Sequence, residues 1–384
     1  MSLRIVVALP PLEQYSAESG GAVSTVVEAL ARQWTSRGHD VVVLSHQTET
    51  PYLTGEVRLL RYHLPERRPV HRLVLSSVRR VRRYDWPVYS TYLREVQQHV
   101  RRVRPDWLLL HNDLAMPALH GLPSNTKVGL TLHNSAYSRS PTRAGTSIRS
   151  CTVVTAVSAF IAKETEARFH LPSQQITVLH NGVEVGLYSG SRRKVAADEP
   201  LRVAVLGRLL PDKGAHVLLQ AVDLLRSRGV TVVPTVVGSP RFVRSTGDGD
   251  DPYVRQVRAD LDRLGGQHVP HLGRLDVSRL LAEQDVVVVP SLFDDPFPLV
   301  SYEGMASGCA VVVSDRGGLP EAAGDAGLVV PWGSSVALAE ALEHLSKDRA
   351  DLVRRQEAGL ARVRKRDWSA VADRWLELLA AVPS

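Results

Sequence analysis

Short apolar runs alternate with longer stretches of helical periodicity along the whole chain. Arg4-Ile-Val-Val-Ala-Leu opens the series, followed by Asp40-Val-Val-Val-Leu. Leu201-Arg-Val-Ala-Val-Leu, Val230-Thr-Val-Val-Pro-Thr-Val-Val, Val286-Val-Val-Val289 and Ala310-Val-Val-Val come later. A strand with one wet face alternates polar and apolar residues. These runs do not, so they read as parallel strands covered on both sides by helices. Strand-then-helix repetition predicts an α/β chain of βαβ units. The alternation runs from Arg4 to about Val183, breaks at polar Ser189–Pro200, and restarts at Leu201. The predicted organisation is an N-terminal Rossmann-like domain over 1–185 and a linker over 186–200. A second Rossmann-like domain follows over 201–366, then a final helix over 367–384. No internal repeat accompanies it.

The chemistry concentrates in two strand-turn-helix segments. In Pro290-Ser-Leu-Phe-Asp-Asp-Pro-Phe-Pro-Leu-Val-Ser-Tyr-Glu-Gly-Met-Ala-Ser-Gly308, a helical pattern begins near Leu299. The carboxylates of Asp295 and Glu303 bracket that start. Phe297, Pro298, Leu299 and Val300 lie between them, where orphan amides and the helix dipole stabilise an anion. Two acids beside an anion site suit a sugar joined to a diphosphate: the phosphates take the amides, and the acids accept from hydroxyls. A solvated acidic turn before an ordinary helix is the alternative. The second segment is Val203-Ala-Val-Leu-Gly-Arg-Leu-Leu-Pro-Asp-Lys-Gly214. It places Gly207, Arg208 and Lys213 at the carboxyl end of a strand, where open α/β sheets bind ligands. Two cations there suit a leaving diphosphate, Arg as a fork and Lys as a point charge.

Together, the Gly-Arg-Leu-x-x-x-Lys-Gly loop and the acid-x7-Glu turn resemble the retaining glycosyltransferases of family 4. That resemblance covers nearly the whole chain. Gly20-Gly21-Ala-Val-Ser-Thr-Val-Val, Arg37-Gly-His-Asp-Val-Val-Val-Leu, Thr131-Leu-His133 and His180-Asn-Gly-Val183 match further landmarks of the family. One departure is Asp295, where the family often has Glu; the side chain is one methylene shorter. The resemblance implies the GT-B architecture, two facing Rossmann-like domains with parallel sheets and an interdomain cleft. It also implies a catalytic set of Arg208, Lys213, Asp295, Glu303 and His133. In this set Glu303 accepts from ribose, Asp295 from a sugar hydroxyl, and His133 contacts the donor sugar. His111 is a weaker candidate of the same kind, and His180 is expected to pack at the hinge. Gly20 and Gly21 let backbone approach the phosphates. Leu272-Gly-Arg-Leu275, before a helix expected at Val277, resembles the nucleobase pocket and adds Arg274 and Leu275. Retaining chemistry of this kind is described as same-face attack. It has no dedicated nucleophile and no metal, and the nucleotide diphosphate sugar, with UDP or GDP favoured, serves as co-substrate.

Composition leaves this picture intact. A chain of 384 residues with 44% hydrophobic and 23% charged residues is long enough for two cores. Cys151 and Cys309 are expected to be buried thiols, which with the lack of an apolar run near 18 residues predicts a cytoplasmic protein. Acidic Thr246-Gly-Asp-Gly-Asp-Asp-Pro252 lacks the ligand spacing of a calcium loop and reads as a surface loop. The formal net charge is +7, with arginine concentrated between Arg58 and Arg104 at 67, 68, 72, 79, 80, 82, 83, 101, 102 and 104. Three readings stand for this region: solvated helix faces, peripheral docking on the anionic inner membrane face, and recognition of an anionic acceptor. Nucleic acid is disfavoured, since no nucleic-acid-binding motif accompanies the charge.

The expected activity is retaining, metal-independent transfer of a hexose-type sugar from a nucleotide diphosphate sugar to a hydroxyl. The acceptor is a natural-product scaffold such as an aminocyclitol, a lipid-linked sugar or a glycan. A sugar-nucleotide epimerase, a phosphorylase on the same scaffold, and a non-catalytic nucleotide-sugar-binding protein are the alternatives. A dehydrogenase is disfavoured because no G-x-G-x-x-G follows the first strand.

Overall fold

The computed structural model describes residues 2–11, 13–17, 21–60, 86–113, 121–135, 141–188, 199–239, 251–270 and 273–382. The chain forms two compact units. One comprises Met1–Val157, Ile161–Leu179 and Arg374–Ser384, the other Ser158–Phe160 and His180–Asp373.

The first unit follows the order β1 (Arg4–Ala8), α1 (Ala22–Ser36), β2 (Asp40–His46), β3 (Glu56–Leu60), α2 (Trp86–Val103), β4 (Trp107–His111) and β5 (Lys127–Leu132). It continues with α3 (Pro141–Arg149), β6 (Val153–Ala156), α4 (Ala159–Phe169) and β7 (Thr177–Val178). Its seven strands lie in the order β3-β2-β1-β4-β5-β6-β7, with every pairing parallel. The all-apolar runs are the buried ones: β4 is buried at every residue and β1 at all but Arg4. Helix α1 carries Val23, Val26, Val27, Leu30 and Trp34 on one buried stripe. That spacing is the helical period, and burying a side chain such as Trp34 contributes about 3 kcal/mol. The indole of Trp34 meets that of Trp375 edge-on at 6.2 Å. Trp375 belongs to the final helix, and Lys127 Nζ donates to Val382 O at 3.1 Å just beyond it.

The second unit contains α5 (Val185–Tyr188), β8 (Leu201–Leu206), α6 (Ala215–Ser227), β9 (Val232–Val237), α7 (Pro252–Leu264), β10 (Gln267–Val269), α8 (Arg274–Ala282) and β11 (Val286–Val289). After these come α9 (Leu299–Ala306), β12 (Ala310–Ser314), α10 (Leu319–Ala323), β13 (Leu328–Val330), α11 (Ser335–Lys347) and α12 (Arg349–Arg364), then α13 (Trp368–Ala380), which from Arg374 onward groups with the first unit. Six parallel strands lie in the order β10-β9-β8-β11-β12-β13. Its core gathers Val203, Val205, Leu218, Val236, Val286, Val288 and Val312 with Leu342 and Leu352 of the covering helices. Asp251 caps α7 by accepting from Tyr253 N at 2.8 Å. That acid is therefore a helix cap, worth about 1 kcal/mol; residues 246–250 of the acidic stretch lie outside the described residues.

Order decides where function can sit. The order in which strands are added reverses between β1 and β4 in the first unit and between β8 and β11 in the second. Loops leaving the carboxyl ends of such neighbouring strands part to opposite faces and open a crevice. The Gly207–Gly214 loop follows β8, and the Pro290–Pro298 turn follows β11.

The crossing between units differs from the expected boundary near 185. His180–Tyr188 groups with the second unit. Val183 N donates to Arg366 O at 3.0 Å and Trp368 N to Val183 O at 3.2 Å. Gly182 makes this possible: a Cβ there would stand 2.7 Å from the Trp368 ring. Neither cysteine is in a disulfide; Cys309 is buried and Cys151 partly so, and burial pushes the Cys151 thiol up to about 12.

Candidate active site

Gly214 has φ of +75°, and a Cβ there would lie 2.0 Å from Pro290 O. Only glycine suits both conditions, and through it the β8 loop lies directly on the end of β11. Leu292 N donates to Asp212 O at 2.8 Å, a second tie between the two loops. A 3-10 turn at Pro211–Lys213 then aims Lys213 across the gap. Its Nζ stands 2.7 Å from Asp295 Oδ2 and 4.6 Å from the Phe293 ring centre. Ser291 Oγ donates to the same carboxylate oxygen at 3.2 Å. Ser314 Oγ in turn donates to Ser291 O at 2.7 Å, anchoring the turn to β12.

The Asp295 side chain is 7% exposed and that of Lys213 26%. A buried carboxylate needs a partner, and Lys213 is that partner here. Asp295 is thus engaged with a cation and a hydroxyl. Gly207 and Arg208, one and two residues past β8, are exposed. Glu303 is partly buried on α9.

Helix α9 starts at Leu299 with Pro298 as its N-cap and no side-chain cap. Its packing is close, since a Cβ on Gly304 would stand 2.9 Å from Val287. The amides of Leu299 and Val300 fall among the first-turn donors. Pro298, expected to supply an N–H with its neighbours, has none; it sets the helix entry and donates nothing.

Phe297 is buried and stacks on His180, ring centres 5.1 Å apart at 14°. His180 Nε2 lies 2.5 Å from Glu321 Oε1, and Ala159 N donates to the same carboxylate at 2.8 Å. Burial pushes the Glu321 carboxyl up, but the His180 and Ala159 hydrogen bonds outweigh it and hold it below the usual range. His180 thus supports Phe297 within the second unit. Glu321 and Ser291 were not among the expected site residues. Glu321 had a legible signal, two glycines and a proline ahead of an acid just past a strand; Ser291 had none.

In the first unit His111 ends β4 and His133 follows β5. His111 Nδ1 and His133 Nε2 are 2.7 Å apart, with ring centres 5.0 Å apart and planes at 27°. Both are buried. Burial lowers both imidazoles, His133 to about 4, and the neighbouring ring lowers His111 further.

Gly20 lies outside the described residues. Gly21 caps α1, yet the group packed on it is Glu13: a Cβ would fall 1.8 Å from Glu13 Oε1. That oxygen accepts from Ser24 N at 3.2 Å, so a carboxylate of the chain itself occupies this helix N-terminus. Burial pushes the Glu13 carboxyl up, against the Ser24 hydrogen bond.

Helix α8 starts at Arg274, earlier than the expected Val277, so Arg274 and Leu275 stand in its first turn rather than in a loop. Of the arginine-rich stretch, residues 67, 68, 72, 79, 80, 82 and 83 lie outside the described residues. Arg101 donates to Gly121 O at 2.7 Å, and Arg58 pairs with Glu56. Among the described residues no helix is long and apolar enough to cross a membrane.

Two Rossmann-like units of parallel strands, each with its strand order reversed beside β1 or β8, are the GT-B architecture. Residues 19–187 match the model of Glycosyltransferase Family 4, and residues 200–348 that of Glycosyl transferases group 1. The chain belongs to the family 4 type of glycosyltransferases. Glycogen synthase of Mycobacterium tuberculosis is 27% identical over 278 residues, 70% of this chain and 65% of that protein, so the chain spans just under two thirds of this relative. D-inositol 3-phosphate glycosyltransferase of Corynebacterium glutamicum is 34% identical over 219 residues, 52% of this chain and 50% of that one. In fold, the chain is similar to Anabaena HepE in complex with UDP and glucose. The TM-score is 0.68 at 18% identity, covering 99% of this chain and 100% of that one.

Proposed function

We propose that the protein is a retaining glycosyltransferase that takes a hexose-type sugar from a nucleotide diphosphate sugar. The observation that carries this reading is the meeting of the β8 and β11 loops, which brings Lys213 onto Asp295 beside the uncapped start of α9. As the bond from the anomeric carbon to the diphosphate oxygen breaks, negative charge grows on the leaving group. Arg208, Lys213 and the α9 amides stabilise it there. The acceptor oxygen attacks the same face, and its proton passes to the departing phosphate. Glu303 holds the ribose, and Asp295 orients Lys213 and the sugar. Fixed cations and a helix dipole do the electrostatic work, so no metal is required. UDP or GDP is the expected carrier, and the HepE complex with UDP and glucose supports the first.

A thermal-shift screen against UDP-, GDP-, ADP- and dTDP-sugars, with and without EDTA, tests this. A donor at 100 times its Kd stabilises by about 2.7 kcal/mol. One selective shift that survives EDTA supports the reading, and product anomer analysis by NMR then decides retention. Product of inverted configuration overturns the mechanism.

A further inference from the structure

Strands β4 and β5 pair in parallel with His111 opposite Thr131. Residues two apart on a strand share a face, so His133 projects on the side of Thr131, one step further toward the carboxyl edge. The main chain there is held as well. Asn112, at φ of +55°, accepts from His133 N at 2.7 Å through Oδ1. Asn tolerates this left-handed conformation better than most residues. The Nδ1–Nε2 approach of 2.7 Å, with ring centres 5.0 Å apart and planes at 27°, sets the rings edge to edge and restrains the His133 ring.

Two buried imidazoles 2.7 Å apart share one hydrogen bond. With both rings neutral, one nitrogen carries the proton and the other offers a lone pair. The two arrangements are not equivalent. If His133 Nε2–H donates to His111 Nδ1, both rings take the Nε2–H tautomer, which free histidine prefers. The reverse direction puts both in the less favoured Nδ1–H form. The tautomer of one ring therefore dictates that of the other.

We propose that His111 is a positioning residue, holding His133 in the Nε2–H tautomer so that Nδ1 of His133 acts as a hydrogen-bond acceptor. Resting on the glycosyltransferase reading, that acceptor takes the proton of a hydroxyl on a sugar substrate at the carboxyl edge of the first unit's sheet. The site thereby selects a sugar that presents a hydroxyl hydrogen there, and disfavours one carrying only an ether or deoxy position.

The decisive experiment is ring 15N–1H NMR of histidine-labelled protein, with the His133 signals identified by their loss in His133→Gln. It needs no donor, so its outcome stands apart from the proposed activity. In the unmodified protein His133 should show a protonated Nε2 and an unprotonated Nδ1. His111→Asn, whose side-chain oxygen can replace the Nδ1 acceptor, should keep that pattern. His111→Leu should give tautomer averaging and raise the KM of that sugar substrate about five- to tenfold with kcat little changed, the scale of one lost neutral hydrogen bond. A protonated Nδ1 on His133 in the unmodified protein overturns the proposal, even if His111→Leu fails to fold. An unaltered His133 spectrum in a folded His111→Leu variant overturns it too.

Discussion

Lys213 and Asp295, 82 residues apart in sequence, form one ion pair at 2.7 Å. The carboxylate is nearly enclosed and the ammonium about a quarter exposed, so the pair is joined to the crevice through Lys213. A change at either residue is felt by the other.

Lys213→Ala should therefore act twice. In the proposed reaction it removes a charge that would stabilise the leaving diphosphate, lowering kcat/KM by about 10²-fold or more. It also strands a buried carboxylate, lowering stability by about 2 kcal/mol, below the 3–5 for a fully buried pair because Lys213 is partly solvated. A double-mutant cycle with Asp295→Asn, followed by kinetics and urea denaturation, should show the two changes strongly non-additive. Simple additivity would mean that the pair is not a working unit.

Arg208→Ala should separate catalysis from stability. Arg208 is exposed, so unfolding free energy should move by no more than about 0.5 kcal/mol. Loss of its charge should still cost about 10²-fold in kcat/KM. An active Arg208→Ala enzyme would remove that residue from the mechanism.

Gly214→Ala places a methyl group 2.0 Å from Pro290 O at a backbone φ of +75°. The left-handed conformation alone costs about 1–2 kcal/mol, and the clash adds to it. Destabilisation of about 3 kcal/mol or more is expected by chemical denaturation. Donor binding should fall with it, because both charged loops depend on this contact.

Glu13 and Glu321 should give opposite pH responses. The folded-state pKa of Glu13 is raised above the usual 4.5. The native state then binds the proton more tightly than the unfolded chain. This stability is full below pH 4.5 and is lost as pH rises through the raised value. Glu13→Gln should thus raise Tm at pH 8 and leave it near unchanged at pH 4. The folded pKa of Glu321 is depressed, so its contribution is present above about pH 4.5 and lost as pH falls below it. Melting curves across pH 3 to 8 for both Gln variants check the two signs; equal slopes in both would contradict the assignment.

Donor turnover should persist in EDTA within about twofold, because the proposed mechanism assigns charge stabilisation to Arg208, Lys213 and amides rather than to a metal. Collapse in chelator with recovery on adding Mg²⁺ would refute this point.

Periodicity alone determined the elements. The Val-rich runs became buried parallel strands, and helix α9 begins at the expected Leu299, because burial on both faces and a helix start are local properties of side-chain pattern. Charge types and turn glycines likewise marked the two loops that carry the candidate chemistry. Their partners were decided by tertiary structure. The reversal of strand order beside β8 sets Lys213 against Asp295. Parallel register sets His111 against His133, and a link across 141 residues sets His180 against Glu321. The Glu13 carboxylate on the start of α1 belongs to the same class, as does the earlier start of α8. A residue's own neighbours in sequence determine whether it is strand or helix, whereas a buried charge takes whichever partner the strand order delivers, and no local pattern encodes that order.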